Sequence, residues 1–330
     1  MSEPSPLEAL WSRYLACPKC GGALRTEPAG STSGSPAAQR LACTSCSATF
    51  PIRDGIPSFV DVQESEQAAE IAQRDEEAVA YEGMFLAWED YLEATPLALD
   101  LKPKPGDWVL EVGAGTGRIL REYARRVAGV VAVDFSMESL RYIRRSIALV
   151  PGLSEKIVLV HGDACALPIQ PGAFDRTISA GMLQHLPTEE HRARAVAGMA
   201  RALRPGGRFV MQARHWSRMH EIFDRHRDSA IVRRLTDLLI GNASGGKERE
   251  RTTVHANGCV ALYNTSADEL RDLAERAGID VKRLVGRIHG VKGIHRLGAA
   301  RPLVERALEL VPPVSLLTGQ ELIVVGKKKK

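Results

Sequence analysis

Trp108-Val109-Leu110-Glu111-Val112-Gly113-Ala114-Gly115-Thr116-Gly117 reads as a buried strand running into a glycine-rich turn, with a helical pattern following through Arg126. Val130-Val131-Ala132-Val133 is a second strand, ending in Asp134, and Ser136 is placed to cap the helix after it. Ile157-Val158-Leu159-Val160 is a third, leading into Gly162-Asp163-Ala164. Strand and helix signals that alternate in this way predict an α/β fold, with a mostly parallel sheet covered on both faces.

A glycine-rich turn between strand and helix serves many nucleotides, so the details decide. A dinucleotide fingerprint requires Gly or Ala at position 118, which is Arg118, and the third glycine falls at Gly117 instead. No Gly-Lys-Ser/Thr follows, which excludes a P-loop. Glu111 would repel a pyrophosphate. S-adenosylmethionine fits better, because it has no phosphate and its amino-acid end carries an ammonium and a carboxylate. Glu111 is placed to hold the ammonium, and a helix starting near Gly117 would offer N–H groups to the carboxylate. Asp134, 21 residues beyond Gly113, can accept from the ribose hydroxyls. Asp163 can accept from the adenine amino group, with the Ala164 N–H facing a ring nitrogen. The plainer alternatives are a helix cap for Asp134 and a turn start for Asp163.

From Pro105 to Gly326 the chain resembles the class I S-adenosylmethionine-dependent methyltransferases. Besides the glycine turn, the resemblance rests on Gly162-Asp163-Ala164-Cys165-Ala166-Leu167-Pro168, Phe174 to Ala180, Leu183-Gln184-His185-Leu186-Pro187 and Leu203-Arg204-Pro205-Gly206-Gly207. It implies a Rossmann-like sheet of seven strands, the last antiparallel, with Gln320–Val325 as that strand. It implies a fourth strand, Phe174–Ser179, opening onto the methyl group. Pro205-Gly206-Gly207 would end a helix over Thr188–Leu203 and lead into strand five, Arg208–Gln212. The candidate cofactor residues are then Glu111, Gly113, Ala114, Gly115, Gly117, Asp134, Phe135, Asp163, Ala164 and Ala180. Methyl transfer from a sulfonium needs mainly alignment, and a general base only where the acceptor must lose a proton. His185 is the candidate base, against a packing or capping role, and His215 and His255 are weaker candidates. Cys165 reads as packing. No Asn-Pro-Pro-Tyr/Phe stretch and no Pro-Cys nucleophile is present, which argues against amino-group methylation in that style and against cytosine-C5 chemistry.

Four of the six cysteines fall in the first fifty residues, as Cys17-Pro18-Lys19-Cys20 and Cys43-Thr44-Ser45-Cys46 with 22 residues between the pairs. Two such knuckles make a closed, structural four-sulfur zinc site with no open position for chemistry. Gly21 can supply the positive φ that a knuckle turn needs. Together with Phe50-Pro51-Ile52-Arg53-Asp54-Gly55-Ile56-Pro57, these knuckles resemble the small zinc-ribbon proteins that act as partners of methyltransferases. That resemblance implies a ribbon docked on the catalytic domain, here within one chain.

The predicted organisation is a zinc-ribbon domain over 1–60, a helical linker and N-terminal cap over 61–104, and a methyltransferase domain over 105–330. That last domain carries insertions at about 215–262, expected to be a helical lid, and 288–318, expected to contain a helix over Leu303–Leu310. A Ser266-x-x-Glu269 capping box opens a helix over Ser266–Ala277. The linker is acidic, and Tyr81, Phe85, Trp88 and Tyr91 fall on one helical face beyond it, a packing stripe by default. Net charge is +4 from 44 basic and 40 acidic residues, and the last four residues, all Lys, account for the excess. Two stretches, 201–234 and 282–306, are locally basic. They are read as solvating helices rather than gripping phosphate, since no aromatic pattern in them suggests base stacking. No apolar run approaches the roughly 18 residues of a membrane helix, and no secretory pattern opens the chain, so a cytoplasmic location is expected. The expected acceptor is a small molecule or peptide. RNA is the alternative, because partner ribbons of this kind serve RNA enzymes, and a non-catalytic scaffold is third.

Overall fold

The computed structural model describes residues 6–28, 39–60, 72, 75–76, 93–215, 229, 250–255, 258–289, 300–311, 314–316 and 319–330. Helix α1 (Pro6–Tyr14) leads into a four-stranded antiparallel sheet of β1 (Leu24–Pro28), β2 (Gln39–Cys43), β3 (Thr49–Arg53) and β4 (Ile56–Pro57), paired in chain order. This small unit is continuous with the rest of the molecule. Tyr14 is buried and stacks on Trp108 with ring centroids 4.1 Å apart, and Phe174 lies 5.3 Å away on the same ring. Aromatic pairs of this kind contribute about 0.5–1.5 kcal/mol beyond the area they bury.

The main sheet has seven strands. Its elements in chain order are α2 (Ala94–Leu101), β5 (Trp108–Val112), α3 (Leu120–Tyr123), β6 (Gly129–Asp134), α4 (Met137–Ala148), β7 (Ile157–His161), β8 (Phe174–Ser179), α5 (Glu189–Ala202) and β9 (Leu203–Arg214). A hairpin of β10 (Glu250–His255) and β11 (Gly258–Tyr263) follows, then α6 (Ala267–Arg276), β12 (Ile279–His289), α7 (Arg301–Glu309) and β13 (Gly319–Lys328). The strand order is β12-β13-β9-β8-β5-β6-β7, and β13 alone runs antiparallel to its neighbours. Side chains alternate between two cores. Leu110, Val112, Val131 and Val133 face α5 and α6, while Val109, Val130, Ala132, Ile178 and Val210 face α2, α3 and α4. The expected Rossmann-like architecture is therefore present, with the reversed strand at its sequence position.

The β7 side of the sheet meets the small unit. Ser58 forms a parallel bridge with His161, and the Phe59 N–H donates to the His161 carbonyl at 2.8 Å. A second seam joins Leu15 to Ile169, where the Ala16 N–H reaches Pro168 O at 3.0 Å.

Several expectations change in detail. The helical pattern after Gly117 yields only the four residues of α3 and a 3-10 turn at Ala124–Arg126, because the glycine turn runs on to Ile119 before the helix starts. Strand six, β12, went unread. Strand five is longer than expected. The helix expected over Leu303–Leu310 starts two residues earlier, with Pro302 in its first turn. The described part of the first insertion is a β-hairpin, where a helical lid was expected, in register from Glu250↔Tyr263 to His255↔Gly258. Its signal is the β-branched Thr252-Thr253-Val254, which pairs with Cys259-Val260-Ala261. The expected caps are formed: Ser136 accepts from Ser139 N at 3.1 Å, and Ser266 accepts from Glu269 N at 3.2 Å. Of the expected linker helix, only Ala72, Asp75 and Glu76 are described. The stripe Tyr81, Phe85, Trp88 and Tyr91 and the break Asn242–Gly246 lie outside the described residues, as does the His255 side chain.

In the described part of the basic stretch 282–306, three arginines are engaged in ion pairs with buried carboxylates. Arg287, 4% exposed, lies on β12 and donates to Asp100 of α2 and Glu309 of α7, at 2.6 Å each. Arg283 pairs with Asp100, and Arg306 with Glu309. Of 201–234, residues 216–228 and 230–234 lie outside the described residues. Lys327 and Lys328 are strand residues of β13, and the Lys328 ammonium reaches Ala277 O at 3.3 Å.

Candidate functional site

Chain order runs outward from β5 through β6 to β7 and then returns to β8 on the other side of β5. At this reversal the connections diverge and leave a crevice at the carboxyl ends of the strands. A cavity of about 400 Å³ opens there. Glu111, Gly113, Ala114, Gly115, Thr116 and Arg118 line one half, and Ala180, Gly181, Gln184, Gln212, Arg214 and Glu321 line the other, with Glu93 beside both. Gly113 has φ 72°, and a Cβ there would lie 2.6 Å from the Met182 side chain, so this position tolerates only glycine.

Glu111 is 3% exposed and receives the Tyr123 hydroxyl at 2.5 Å. Burial pushes its carboxyl up to about 8, the Asp134 charge adds to the rise, and the tyrosine hydrogen bond opposes it. A raised carboxylate stabilises the fold below its unfolded value near 4.5 and loses that contribution as pH rises through about 8. A cation beside it reverses this loss. The Thr116 hydroxyl, also buried, has no hydrogen-bond partner among the described residues. A buried carboxyl awaiting a cation and an orphaned donor three residues beyond a Gly-only position match the ammonium and carboxylate of an amino-acid ligand. The residues present fit the amino-acid end of S-adenosylmethionine.

The other candidate cofactor residues lie behind this wall. Asp134 accepts from Gly115 N at 2.7 Å and Ser136 N at 2.9 Å, so its carboxylate braces the glycine turn against the end of β6. Phe135 presents its carbonyl to His161 Nε2 at 3.1 Å, and His161 Nδ1 meets the Ser58 hydroxyl at 2.7 Å. Asp163 accepts from Cys165 N at 2.8 Å and starts a 3-10 turn from Ala164, the plainer reading of that residue. Gly117 packs against Ile143. Asp75 accepts from the Ser136 hydroxyl at 2.6 Å and Glu138 N at 3.1 Å, at the start of α4, so the acidic linker touches down beside Asp134. The Cys165 thiol points to His191 O and is pushed up to about 12 by burial, which makes it unreactive.

His185 sits half-buried in a 3-10 turn over Leu183–His185, and the residue of that turn lining the cavity is Gln184. His215 is buried and its Nδ1 meets Gly319 O at 2.9 Å, a structural contact at the β9–β13 seam. Sequence reading missed Glu93, Gln212, Arg214 and Glu321. Arg118 was noticed only as a departure from the dinucleotide pattern, yet it lines the cavity and pairs with Glu93 at 2.5 Å.

The sulfurs of Cys17, Cys20, Cys43 and Cys46 all lie within 4.8 Å of one another. Three of the separations are 3.8, 3.4 and 3.5 Å. Four ligands about 2.3 Å from a tetrahedral zinc stand about 3.8 Å apart, so the cluster has the dimensions of a sulfur-four site. Gly21, at φ 75°, turns the first knuckle so that its N–H reaches Cys17 O at 2.7 Å.

Comparison with known proteins agrees with both units. Residues 109–207 match the family described as Methyltransferase domain, and residues 14–55 match the family described as Trm112p-like protein. A 37.1 kDa protein in transposon TN4556 of Streptomyces fradiae is 30% identical over 176 residues, covering 52% of this chain and 49% of that one. The ubiquinone/menaquinone biosynthesis C-methyltransferase UbiE of Methylococcus capsulatus is 27% identical over 208 residues, covering 61% of this chain and 78% of its own. The chain spans about half or less of the length of the first curated relatives it matches. Among solved structures, the cyclase SpnF superposes with a TM-score of 0.51 at 18% identity, covering 84% of this chain and 99% of that one. That likeness concerns the fold, and a fold hosts many activities.

Proposed function

We propose that this chain, a methyltransferase domain carried behind a Trm112p-like zinc ribbon, transfers the methyl group of S-adenosylmethionine to a small-molecule acceptor. The observation that carries the reading is the cavity at the strand reversal. Its one half suits the amino-acid end of the cofactor, and its other half is a separate polar wall of Gln184, Gln212, Arg214 and Glu321. The cofactor supplies an activated methyl on a sulfonium. The protein's part is to hold the two reactants in line and exclude water.

In this reading Glu111 takes the cofactor ammonium and Thr116 donates to its carboxylate, while the turn Gly113-Ala114-Gly115 and Ala180 bound the methionine end. Asp134 is assigned the ribose hydroxyls through lone pairs not used by its two backbone partners. Asp163, Phe135 and the Ala164 N–H are assigned the adenine side, and Gly117 the turn of the loop. His185 is the proposed base for an acceptor that must lose a proton. The small-molecule reading is favoured over RNA by the arginines of 282–306. Among the described residues, Arg283, Arg287 and Arg306 are all engaged in ion pairs with Asp100 and Glu309, and Arg287 is buried between them.

The functional test is transfer of labelled methyl into size-fractionated cell extract. Label is expected in the small-molecule fraction; label confined to RNA or to protein would refute the proposal. A second measurement follows the proton. At pH 7 the Glu111 carboxyl is mostly protonated, at a value of about 8, and must ionise to receive the ammonium. Calorimetry in buffers of different ionisation enthalpy is expected to show close to one proton released per cofactor bound. Affinity should rise with pH between 6 and 8. Glu111→Gln is expected to abolish the release, and Asp134→Ala to weaken binding at least tenfold. A wild-type chain that binds without proton exchange would contradict the ammonium assignment.

A further inference from the structure

The acceptor half of the cavity carries a polarity of its own. Glu111, Ile178 and Val210 stand level across β5, β8 and β9, on the face covered by α2. Gln212 and Arg214 follow Val210 on that face at two-residue spacing, opposite Ile323 and Glu321 of β13. Gln212 is 2% exposed and lines the cavity. Its Nε2 donates to Glu93 Oε1 at 2.7 Å, and the other Glu93 oxygen is held by Arg118 at 2.5 Å. A carboxylate paired to arginine can only accept, so the amide cannot turn over, and its nitrogen must face Glu93. The Gln212 carbonyl oxygen is thereby fixed on the other side, and among the described residues it has no hydrogen-bond partner. The Gln184 carbonyl oxygen, from the turn after β8, likewise has no partner among the described residues. Leaving a buried polar atom without a partner is unfavourable, and a ligand group of the right kind recovers that loss.

We infer that the acceptor is a small molecule that docks by donating an N–H or O–H to the Gln212 carbonyl, and that Gln212, oriented by the Arg118–Glu93 pair, sets acceptor specificity. The inference rests on the methyltransferase reading above and adds the chemistry of the substrate. A donor group on the acceptor satisfies Gln212. A molecule whose corresponding atom is already capped by methyl leaves the oxygen desolvated and unpaired. The site therefore selects against its own product wherever methylation replaces the donor atom's last hydrogen, because the N–H or O–H becomes N–CH3 or O–CH3 with the proton passing to water or to the base.

The test uses the full chain loaded with S-adenosylhomocysteine and two matched pairs of probes, phenol with anisole and aniline with N,N-dimethylaniline, read by ligand-observed NMR titration. The donor member of each pair is expected to bind about tenfold more tightly than its capped partner. Gln212→Met, close in volume, is expected to bring the two members within about twofold of each other. Glu93→Gln, which lets the amide turn over, should reduce the preference as well. S-adenosylhomocysteine affinity should stay within about twofold in Gln212→Met, which separates loss of the acceptor site from misfolding. Equal binding within the pairs, binding of neither member, or an unchanged preference in Gln212→Met overturns the inference. Failure of the wild-type chain to bind S-adenosylhomocysteine would instead overturn the methyltransferase reading.

Discussion

Cys43→Ser, or removal of metal by a chelator, is expected to unfold the N-terminal ribbon and to weaken the docking of everything packed upon it. The four sulfurs already stand at tetrahedral spacing, and the strands around them are short, so little else closes this unit. Structural zinc contributes about 10–16 kcal/mol to the folding of isolated zinc-finger peptides. The loss should not stay local. Trp11, Tyr14, Leu15, Leu24, Leu41 and Phe50 belong to the same core as Leu110, Val131 and Phe174 of the main sheet. Metal analysis of the variant should therefore show less than one zinc per chain, and the near-ultraviolet circular dichroism of the Tyr14–Trp108 stack should diminish. Full zinc occupancy in Cys43→Ser, or an unchanged melting midpoint after chelation, would refute the assignment.

Arg287→Ala is expected to cost about 3–5 kcal/mol of folding stability, the range for removing one partner of a buried ion pair. The guanidinium lies between Asp100 and Glu309, both over nine-tenths buried, and its truncation leaves them only the more exposed Arg283 and Arg306 as ion-pair partners. Because these charges are enclosed, the effect should respond weakly to added salt. The triple replacement Arg287→Met, Asp100→Asn, Glu309→Gln should recover much of the loss, since the penalty belongs to the unpaired charges rather than to the missing attraction. Urea midpoints measure both. A shift below 1 kcal/mol in Arg287→Ala would mean that Arg283 and Arg306 together neutralise the two carboxylates.

The strands at the centre of the sheet were legible because both their faces are covered. Continuous runs such as Val130–Val133 and Ile157–Val160 leave no other reading. Strand β12 was hidden by its arginines. Its Lys282-Arg283 and Arg287 look like surface residues until α2 and α7 bring Asp100 and Glu309 against them, and that pairing spans up to 187 positions of the chain. The site divides in the same way. Glu111 and the glycine turn are contiguous in sequence, so their chemistry can be read directly. Glu93, Gln212, Arg214 and Glu321 are ordinary polar residues one at a time, and only the neighbouring positions of β9 and β13 and the start of α2 assemble them into a wall.

The seams at Ser58–His161 and Leu15–Ile169 have a consequence in mass action. Had the ribbon been a separate subunit, its occupancy would follow its concentration in the cell, and dilution would strip it from the sheet. Joined to the same chain, it meets its site at an effective concentration set by the chain connection and independent of how much protein is made. Its stoichiometry is fixed at one, and no free pool of ribbons exists to be shared among competing enzymes. The docked state thus depends on the local equilibrium at these seams and not on how much of a second protein is made.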